Sequence, residues 1–163
     1  MMLPELYIDA RATLGESPAW DAKTQTLYWV DVFERHIYAG AKRILQLDDY
    51  IGCLAPRRNG GLILAQRRGL RLVLPDMKTI QKLSSPRGEA LHNRFNDGKC
   101  DPRGRFIAGT MDHNEKEDSG ALYSLSFLSL GNPWPMAACL GLFALAFWIP
   151  QTITGRSDSA GEN

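Results

Sequence analysis

The amino-acid sequence predicts an all-β fold for residues 1–125, on three observations. A polar turn that leads into a short apolar strand occurs three times in this part of the chain. The strands are rich in β-branched and aromatic residues, which favour sheet. No stretch before Leu125 carries apolar residues at helical spacing over a long distance.

The three turn-and-strand units recur at intervals of roughly 35 to 45 residues, the spacing of repeated sheets, or blades, in a propeller. In the first unit, residues 21–25 lead into residues 26–31. The second turn ends in Asn59-Gly60, which favours a tight hairpin because both residues tolerate positive φ. The third turn, residues 101–104, contains Asp-Pro-Arg-Gly and suits a type I turn because proline fixes φ. The strands predicted for the second and third units are residues 61–65 and 105–109.

Residues 126–163 have a different character, and we predict that this apolar tail is not part of the repeated sheets. Residues 119–155 contain no Lys, Arg, Asp or Glu, and the segment from Met136 to Ile149 is continuously apolar. A helix that spans a bilayer needs about 20 apolar residues, so this segment is short for a span. Membrane association through residues 134–150 is therefore the less favoured expectation.

Composition excludes several classes of partner. The 163 residues carry a net charge of +1, which provides no general attraction to nucleic acid or to an anionic membrane. The three cysteines, Cys53, Cys100 and Cys139, have neither zinc-ligand nor redox-motif spacing, and we expect reduced thiols. The first residues lack the basic start and apolar core of a signal peptide. These features together predict a cytoplasmic protein.

Two polar motifs carry the functional information. The first is Leu14-Gly15-Glu16-Ser17-Pro18-Ala19-Trp20, and the second runs from Asn93 to Met111 and contains Asn-Arg-Phe-Asn-Asp-Gly. Together they resemble the family that includes senescence marker protein (regucalcin), gluconolactonases and the luciferin-regenerating enzyme. The resemblance extends from about Glu5 to about Leu125. It implies a partial six-bladed β-propeller of about two to three blades, followed by the unrelated apolar tail. It also implies a divalent metal in the central channel and hydrolysis of a sugar lactone.

The resemblance assigns roles to individual residues. Glu16 would be a metal ligand, with calcium as the first expectation and zinc, manganese or magnesium as alternatives. Arg94 and Asn96 would contact the sugar, since a guanidinium and an amide suit hydroxyl and carbonyl partners. In the polar loop 112–118, Asn114 or Glu115 would add a further substrate contact. The alternatives are a solvated turn glutamate at Glu16 and ordinary polar loops at the other positions.

The expected activity depends on residues that this sequence does not match. In the family, the aspartate expected to act as general base lies beyond the matching region, so no catalytic residue is assigned. We therefore expect a truncated member of a metal-dependent sugar lactonase family, which hydrolyses a sugar lactone to the aldonic acid if complete. The alternative is a non-catalytic fragment or a calcium-binding regulatory protein, with the tail as a route to membranes. An incomplete propeller also predicts self-association through its open edge.

Overall fold

The computed structural model describes residues 3–126, which form eleven β-strands and no helix. The strands make three antiparallel sheets, and in each sheet the strands follow in chain order. The all-β prediction is therefore confirmed, and each sheet is a propeller blade. None of these residues belongs to a helix that is long and apolar enough to cross a membrane.

The blades contain four, four and three described strands. Blade 1 consists of β1 (Gly15–Asp21), β2 (Thr26–Asp31), β3 (His36–Ala39) and β4 (Lys42–Gln46). Blade 2 consists of β5 (Ile51–Pro56), β6 (Leu62–Gln66), β7 (Gly69–Val73) and β8 (Ile80–Ser84). Blade 3 consists of β9 (Asn93–Cys100), β10 (Phe106–Asp112) and β11 (Leu122–Leu125). The three strands predicted from the repeated units correspond to β2, β6 and β10, the second strand of each blade.

Two apolar layers join the blades. The first layer lies between blades 1 and 2 and includes Val30, Ile37 and Leu64. The second lies between blades 2 and 3 and includes Ile63, Phe95 and Phe106. Successive residues of a strand point to opposite faces of a sheet, so β6 supplies both layers and is buried along its whole length.

The first strand of each blade, β1, β5 and β9, contains one extra residue relative to its partner. In β1 the extra residue lies between Glu16 and Ala19, and in β5 it is Gly52, between Ile51 and Cys53. In β9 it lies between Phe95 and Gly98, opposite Gly109. Each shift is a β-bulge, which bends the strand and re-aims side chains. The Gly-Glu-Ser-Pro motif, residues 15–18, is therefore inside β1.

The first strands also make the closest contacts between blades. Ser17 Oγ accepts the Leu54 N–H at 2.9 Å and donates to the Leu54 carbonyl at 3.4 Å, which links β1 to β5. A side chain on Gly52 would collide with the Phe95 carbonyl oxygen on β9. A Cβ on Gly98 would lie 2.7 Å from Cys53 Sγ. Glycine is thus needed where β5 and β9 approach each other.

The apolar tail lies outside the described residues, apart from Ser126. The division of the chain at residues 125 and 126, and the membrane association through residues 134–150, therefore stay predictions.

Candidate functional site

Glu16, the predicted metal ligand, lies on β1 beside its bulge. It is paired across the sheet with Val30, and its side chain is exposed. The next residue, Ser17, has a left-handed backbone with φ of 53° and is held by its contacts to Leu54. The bulge therefore sets the direction of the Glu16 carboxylate through a backbone that is anchored to blade 2.

The described residues do not fit a divalent cation without further ligands. Within residues 3–126, no three side chains of His, Cys, Asp or Glu come close enough together to hold a metal ion. Glu16 offers a single carboxylate, whereas calcium takes about six to eight oxygen ligands. A metal at Glu16 would need ligands from beyond these residues.

Arg94 and Asn96, the predicted sugar contacts, are brought together on β9. Arg94 is buried, with 8% of its surface exposed, and Asn96 is exposed. Arg94 Nη1 donates to Asn96 Oδ1 at 2.9 Å and to the Phe95 carbonyl at 3.3 Å. One nitrogen of the guanidinium is thus held in place by two acceptors of the same strand, and the assignment of both residues to the sugar stays a prediction.

Asn96 also lines a cavity of about 420 Å³ on the face of blade 3 that points away from blade 2. The lining is mixed in character and includes polar side chains, such as Asn96 and Lys99, as well as apolar ones, such as Ile107 and Leu122. The residues that line it are Asn96, Asp97, Gly98, Lys99, Cys100, Asp101, Ile107, Gly109, Thr110 and Leu122. The cavity is open to solvent, and Asn96 is the predicted site residue that borders it.

Asn114 and Glu115 lie in the loop that follows β10, and both are exposed. Asp112 organises this loop. Its carboxylate accepts the backbone N–H groups of Lys116 at 2.8 Å, Asn114 at 3.1 Å and Glu117 at 3.2 Å. These hydrogen bonds, led by that of Lys116, hold the pKa of Asp112 below its usual value. Glu115 takes a left-handed backbone with φ of 59° within the resulting turn.

Asn93 joins this loop to β9. It is 2% exposed and lies opposite Asp112 in the β9–β10 ladder. Asn93 Nδ2 donates to the Ser119 carbonyl at 2.8 Å, and Ser119 Oγ donates back to Asn93 Oδ1 at 2.7 Å. Both ends of the loop are therefore tied to the strand that carries Arg94.

Glu89 also stabilises this region through hydrogen bonds to Asn93 and Tyr123. It accepts hydrogen bonds from Asn93 Nδ2 and from the Tyr123 hydroxyl. Burial raises the pKa of Glu89, but the hydrogen bonds from Tyr123, Asn93 and Thr110 outweigh it and lower the pKa overall. The Glu89 carboxylate in turn raises the pKa of Tyr123.

Three residues to which the sequence assigned no role in the site lie in or beside the loop. The rings of Tyr50 and His113 stack with centroids 5.4 Å apart and planes 20° apart. The Arg67 guanidinium lies over the Tyr50 ring at 5.9 Å. Arg67 Nε and His113 Nδ1 are both buried without a hydrogen-bond partner among the described residues. Blade 2 therefore contributes an aromatic and basic border to the polar loop of blade 3.

The predicted site residues fall into two groups. Arg94 and Asn96 contact each other, and the Asn114–Glu115 loop is anchored to the same strand through Asn93 and Asp112. Glu16 belongs to blade 1, and no hydrogen bond or ion pair among residues 3–126 joins it to Arg94 or Asn96. The structure thus brings the predicted sugar contacts together, whereas Glu16 makes no direct hydrogen bond or ion pair to either of them within the described range.

Comparisons with known proteins agree with this architecture. The family model described as SMP-30/Gluconolactonase/LRE-like region matches residues 14–130. A 6-deoxy-6-sulfogluconolactonase from Pseudomonas putida is 36% identical over 116 residues, which cover 68% of this chain and 40% of that protein. Regucalcin from Danio rerio is 35% identical over 129 residues, which cover 74% of this chain and 43% of that protein.

Among solved structures, a luciferin-regenerating enzyme matches with a TM-score of 0.63 and 30% identity. The match covers 71% of this chain and 43% of that one. This chain spans less than half the length of the curated relatives it matches. It belongs to the SMP-30/gluconolactonase/LRE-like family of sugar lactonases, and its three blades are those of a β-propeller.

Proposed function

We propose that these three blades supply the substrate-recognising part of a sugar-lactone hydrolase. The observation that carries the proposal is the Arg94–Asn96 pair, with a buried guanidinium tied to an exposed amide at the border of a cavity. The substrate of the relative from Pseudomonas putida, by its name, is a sugar lactone. A sugar lactone is accordingly the small-molecule partner, and the cytoplasm is the proposed location.

The geometry refines what the pair offers to a substrate. Both hydrogen bonds of Arg94 to its neighbours use Nη1, and one of them occupies Asn96 Oδ1. The remaining guanidinium N–H groups and the Asn96 amide N–H₂ are donors. Such a pair suits the carbonyl and hydroxyl oxygens of a lactone, which accept hydrogen bonds. The loop that Asp112 holds would add one further contact to the substrate, through the amide of Asn114 or the carboxylate of Glu115.

Metal dependence forms a second part of the proposal. Glu16 would bind a divalent cation, calcium first, with zinc, manganese or magnesium as alternatives. When bound, such a cation would polarise the lactone carbonyl. The single carboxylate does not satisfy the cation, and we derive no reaction step through it. No general base is assigned among residues 3–126.

A binding experiment on the full chain tests the sugar site. Gluconolactone and its hydrolysis product would be titrated against the wild type and Asn96→Ala, with the exposed Asn59→Ala as a matched control. Loss of a hydrogen bond to the ligand should weaken binding roughly tenfold in Asn96→Ala, and Asn59→Ala should bind as the wild type. Equal affinity in all three proteins contradicts the assignment of Asn96.

A calcium titration tests the metal site separately. Glu16→Gln removes the charge without changing the size of the side chain, and Glu34→Gln does the same at another exposed position of blade 1. We expect calcium affinity to fall only in Glu16→Gln. If both variants retain the wild-type affinity, the metal role of Glu16 is wrong.

The second candidate is a non-catalytic fragment or a calcium-binding regulatory protein, because no general base is assigned among residues 3–126. In that case calcium would bind without any lactone turnover. Pelleting with lipid vesicles, compared between the full chain and a chain shortened after residue 126, would test the membrane route through residues 134–150. Calcium-dependent hydrolysis of a lactone by the full chain would reject this candidate.

A further inference from the structure

A second cavity lies on blade 2 and has a volume of about 260 Å³. The start of β7, the end of β8 and the connection between β4 and β5 form it, and it shares no lining residue with the cavity that Asn96 borders. Its polar lining consists of basic side chains and hydroxyl groups, with Asp49 as the acid. The basic and hydroxyl residues are Arg68, Arg71, Lys82, Ser84 and Ser85. We call this cavity the basic cavity.

The pairing of the strands brings the basic side chains of this cavity together. Arg71 lies directly opposite Lys82 in the β7–β8 ladder, so both side chains are on the same face of the sheet. Like charges in opposite positions destabilise a pair of strands. Arg68, in the turn between β6 and β7, adds a third positive charge and donates from Nη2 to the Leu91 carbonyl at 3.1 Å. Positive charge is therefore concentrated at one place on blade 2.

Two carboxylates offset part of this charge. Asp48 Oδ2 lies 3.7 Å from Arg71 Nη2, and Asp48 Oδ1 accepts a hydrogen bond from Gln66 Nε2 at 2.8 Å. This hydrogen bond, aided by the charges of Arg71 and Lys82, lowers the pKa of Asp48 against the effect of burial. Asp49 Oδ1 accepts the Tyr50 N–H at 2.9 Å. Both acids are thus engaged, and the positive charge of the basic cavity still exceeds the negative charge.

Several hydrogen-bond donors of the basic cavity have no acceptor. Among residues 3–126, the side chains of Lys82, Ser84 and Ser85 make no hydrogen bond and no ion pair. Gly69 leaves room beside the two serines, because a Cβ at this position would lie 2.7 Å from Ser85 Oγ and 2.9 Å from the Ser84 carbonyl oxygen. The cavity therefore combines an excess of positive charge with unused donors, as a site for an anion requires.

One acceptor in the lining also lacks a partner. Gln66 is 2% exposed and donates from Nε2 to Asp48 Oδ1 and to the Asp49 carbonyl at 3.1 Å. Its Oε1 atom is buried and has no hydrogen-bond donor within the described part of the chain. A buried acceptor without a donor costs free energy. A hydroxyl group on a bound molecule would satisfy it.

We propose that the basic cavity binds the phosphate ester of a small polyol. A phosphate ester carries about −1.5 to −2 charges at neutral pH and three strong acceptor oxygens. Lys82, Arg71 and the two serine hydroxyls supply donors to these oxygens, and a hydroxyl of the polyol donates to Gln66 Oε1. A carboxylate brings one charge and two oxygens, and it would leave more of the donors unused. The site is distinct from the Arg94–Asn96 pair, and it does not rest on the proposed function.

Calorimetric titration of the full chain with glycerol 3-phosphate, inorganic phosphate and glycerol tests the proposal. We expect glycerol 3-phosphate to bind at least roughly fivefold more tightly than inorganic phosphate, because only the ester offers a hydroxyl to Gln66. Glycerol, which lacks the charge, should not bind at millimolar concentration. Equal affinity for the ester and inorganic phosphate would identify a free anion as the occupant and overturn the assignment of a polyol ester.

Two lysine variants locate the bound phosphate. Lys82→Met removes the ammonium group, which has no partner among residues 3–126, so the fold should be unaffected by circular dichroism. It should weaken glycerol 3-phosphate binding roughly tenfold. Lys78→Met is the matched control, since Lys78 is exposed at the opposite end of the β7–β8 hairpin and should leave the affinity unchanged.

Ser85→Ala tests the hydroxyl contact and should weaken binding roughly threefold to tenfold. No binding of glycerol 3-phosphate at millimolar concentration overturns the proposal. Binding that Lys82→Met and Lys78→Met weaken equally also overturns it, because the attraction would then be a general effect of charge.

Discussion

Blades 2 and 3 are built from the same turn-and-strand unit but use their side chains differently. In blade 2, β6 is buried along its length and supplies apolar residues to layers on both sides. In blade 3, Phe106 and Ala108 of β10 pack against blade 2, while the opposite face carries a cavity bordered by Asn96. In a blade that is packed on both faces, most side chains serve to stabilise the fold. Polar recognition residues concentrate where one face or end stays open.

The first strands show the same contrast at one position. The bulge of β5 is Gly52, which has no side chain and allows β9 to approach. The bulge of β9 includes Asn96 and Asp97, both exposed. The same backbone irregularity therefore serves packing in blade 2 and display of side chains in blade 3.

Gly52→Ala should have the largest effect on this comparison. The added methyl group meets the Phe95 carbonyl oxygen, and no side-chain rotation can relieve a collision with backbone. We expect a loss of about 3 kcal/mol or more in the free energy of unfolding. Gly109→Ala in blade 3 is the control, since its nearest atom, Leu122 Cδ1, would lie 3.8 Å away. Urea denaturation measures both, and equal losses would show that the junction is not tight.

Ile63→Ala and Ile107→Ala compare the middle strands of the two blades. Ile63 is 1% exposed, whereas Ile107 is partly exposed on the side of blade 3 that points away from blade 2. We expect a cost of about 2–4 kcal/mol at Ile63 and of about 1 kcal/mol or less at Ile107 in the monomer. A similar cost at both sites in dilute protein would mean that the face is already covered.

Ser17→Ala tests the lighter link between blades 1 and 2. It leaves the Leu54 N–H without its hydrogen bond, which should cost about 1–2 kcal/mol. Ser84→Ala, at an exposed position of the outer strand β8, should stay within about 0.5 kcal/mol of the wild type. Thermal melts of the two variants test this prediction. An unchanged melting temperature for Ser17→Ala would show that this hydrogen bond does not stabilise the junction between blades 1 and 2.

The smallest effect concerns pH and the loop after β10. The pKa of Asp112 is lowered by the N–H groups of Lys116, Asn114 and Glu117. A lowered pKa means that the carboxylate stabilises the fold above its unfolded value of about 4, and that this contribution is lost as pH falls through the folded value. The stability gap between wild type and Asp112→Asn should therefore narrow in acid. A difference in the free energy of unfolding that stays constant from neutral to acid pH contradicts this prediction. Asp118→Asn, which removes an exposed charge from the same loop, controls for the general effect of losing one negative charge.

The sequence predicted the elements that depend on local chemistry. Polar turns and strand composition located β2, β6 and β10, because a hairpin turn and an apolar strand are readable from adjacent residues. The same reasoning could not locate β4 or β8, whose exposed charged residues carry little sheet signal. The sequence left Glu16 open as a turn glutamate, whereas contacts between Ser17 and Leu54, far along the chain, hold this segment as a bulge within β1.

The site residues also divide into those that the sequence indicated and those that only the tertiary structure reveals. The resemblance indicated Arg94 and Asn96, and the structure places them in contact. Asn93 and Asp112 stand in the predicted polar segments but received no role of their own, because their roles depend on a cross-strand pairing between distant positions. Tyr50 and His113 come together only when blade 2 packs beside blade 3. Supporting residues of this kind become visible through tertiary structure, not through a motif.

The extra residue in each first strand has a consequence for how such a protein can vary. In a regular strand, successive side chains alternate between the two faces of the sheet, so the face taken by one residue fixes the face taken by all the others. A single inserted residue interrupts this alternation. The face taken by the side chains up to Glu16 therefore does not fix the face taken by those from Ala19 onward. One half can then follow the demands of a ligand while the other keeps packing against the next blade. The bulge thereby separates the part of the strand open to functional change from the part constrained by the core.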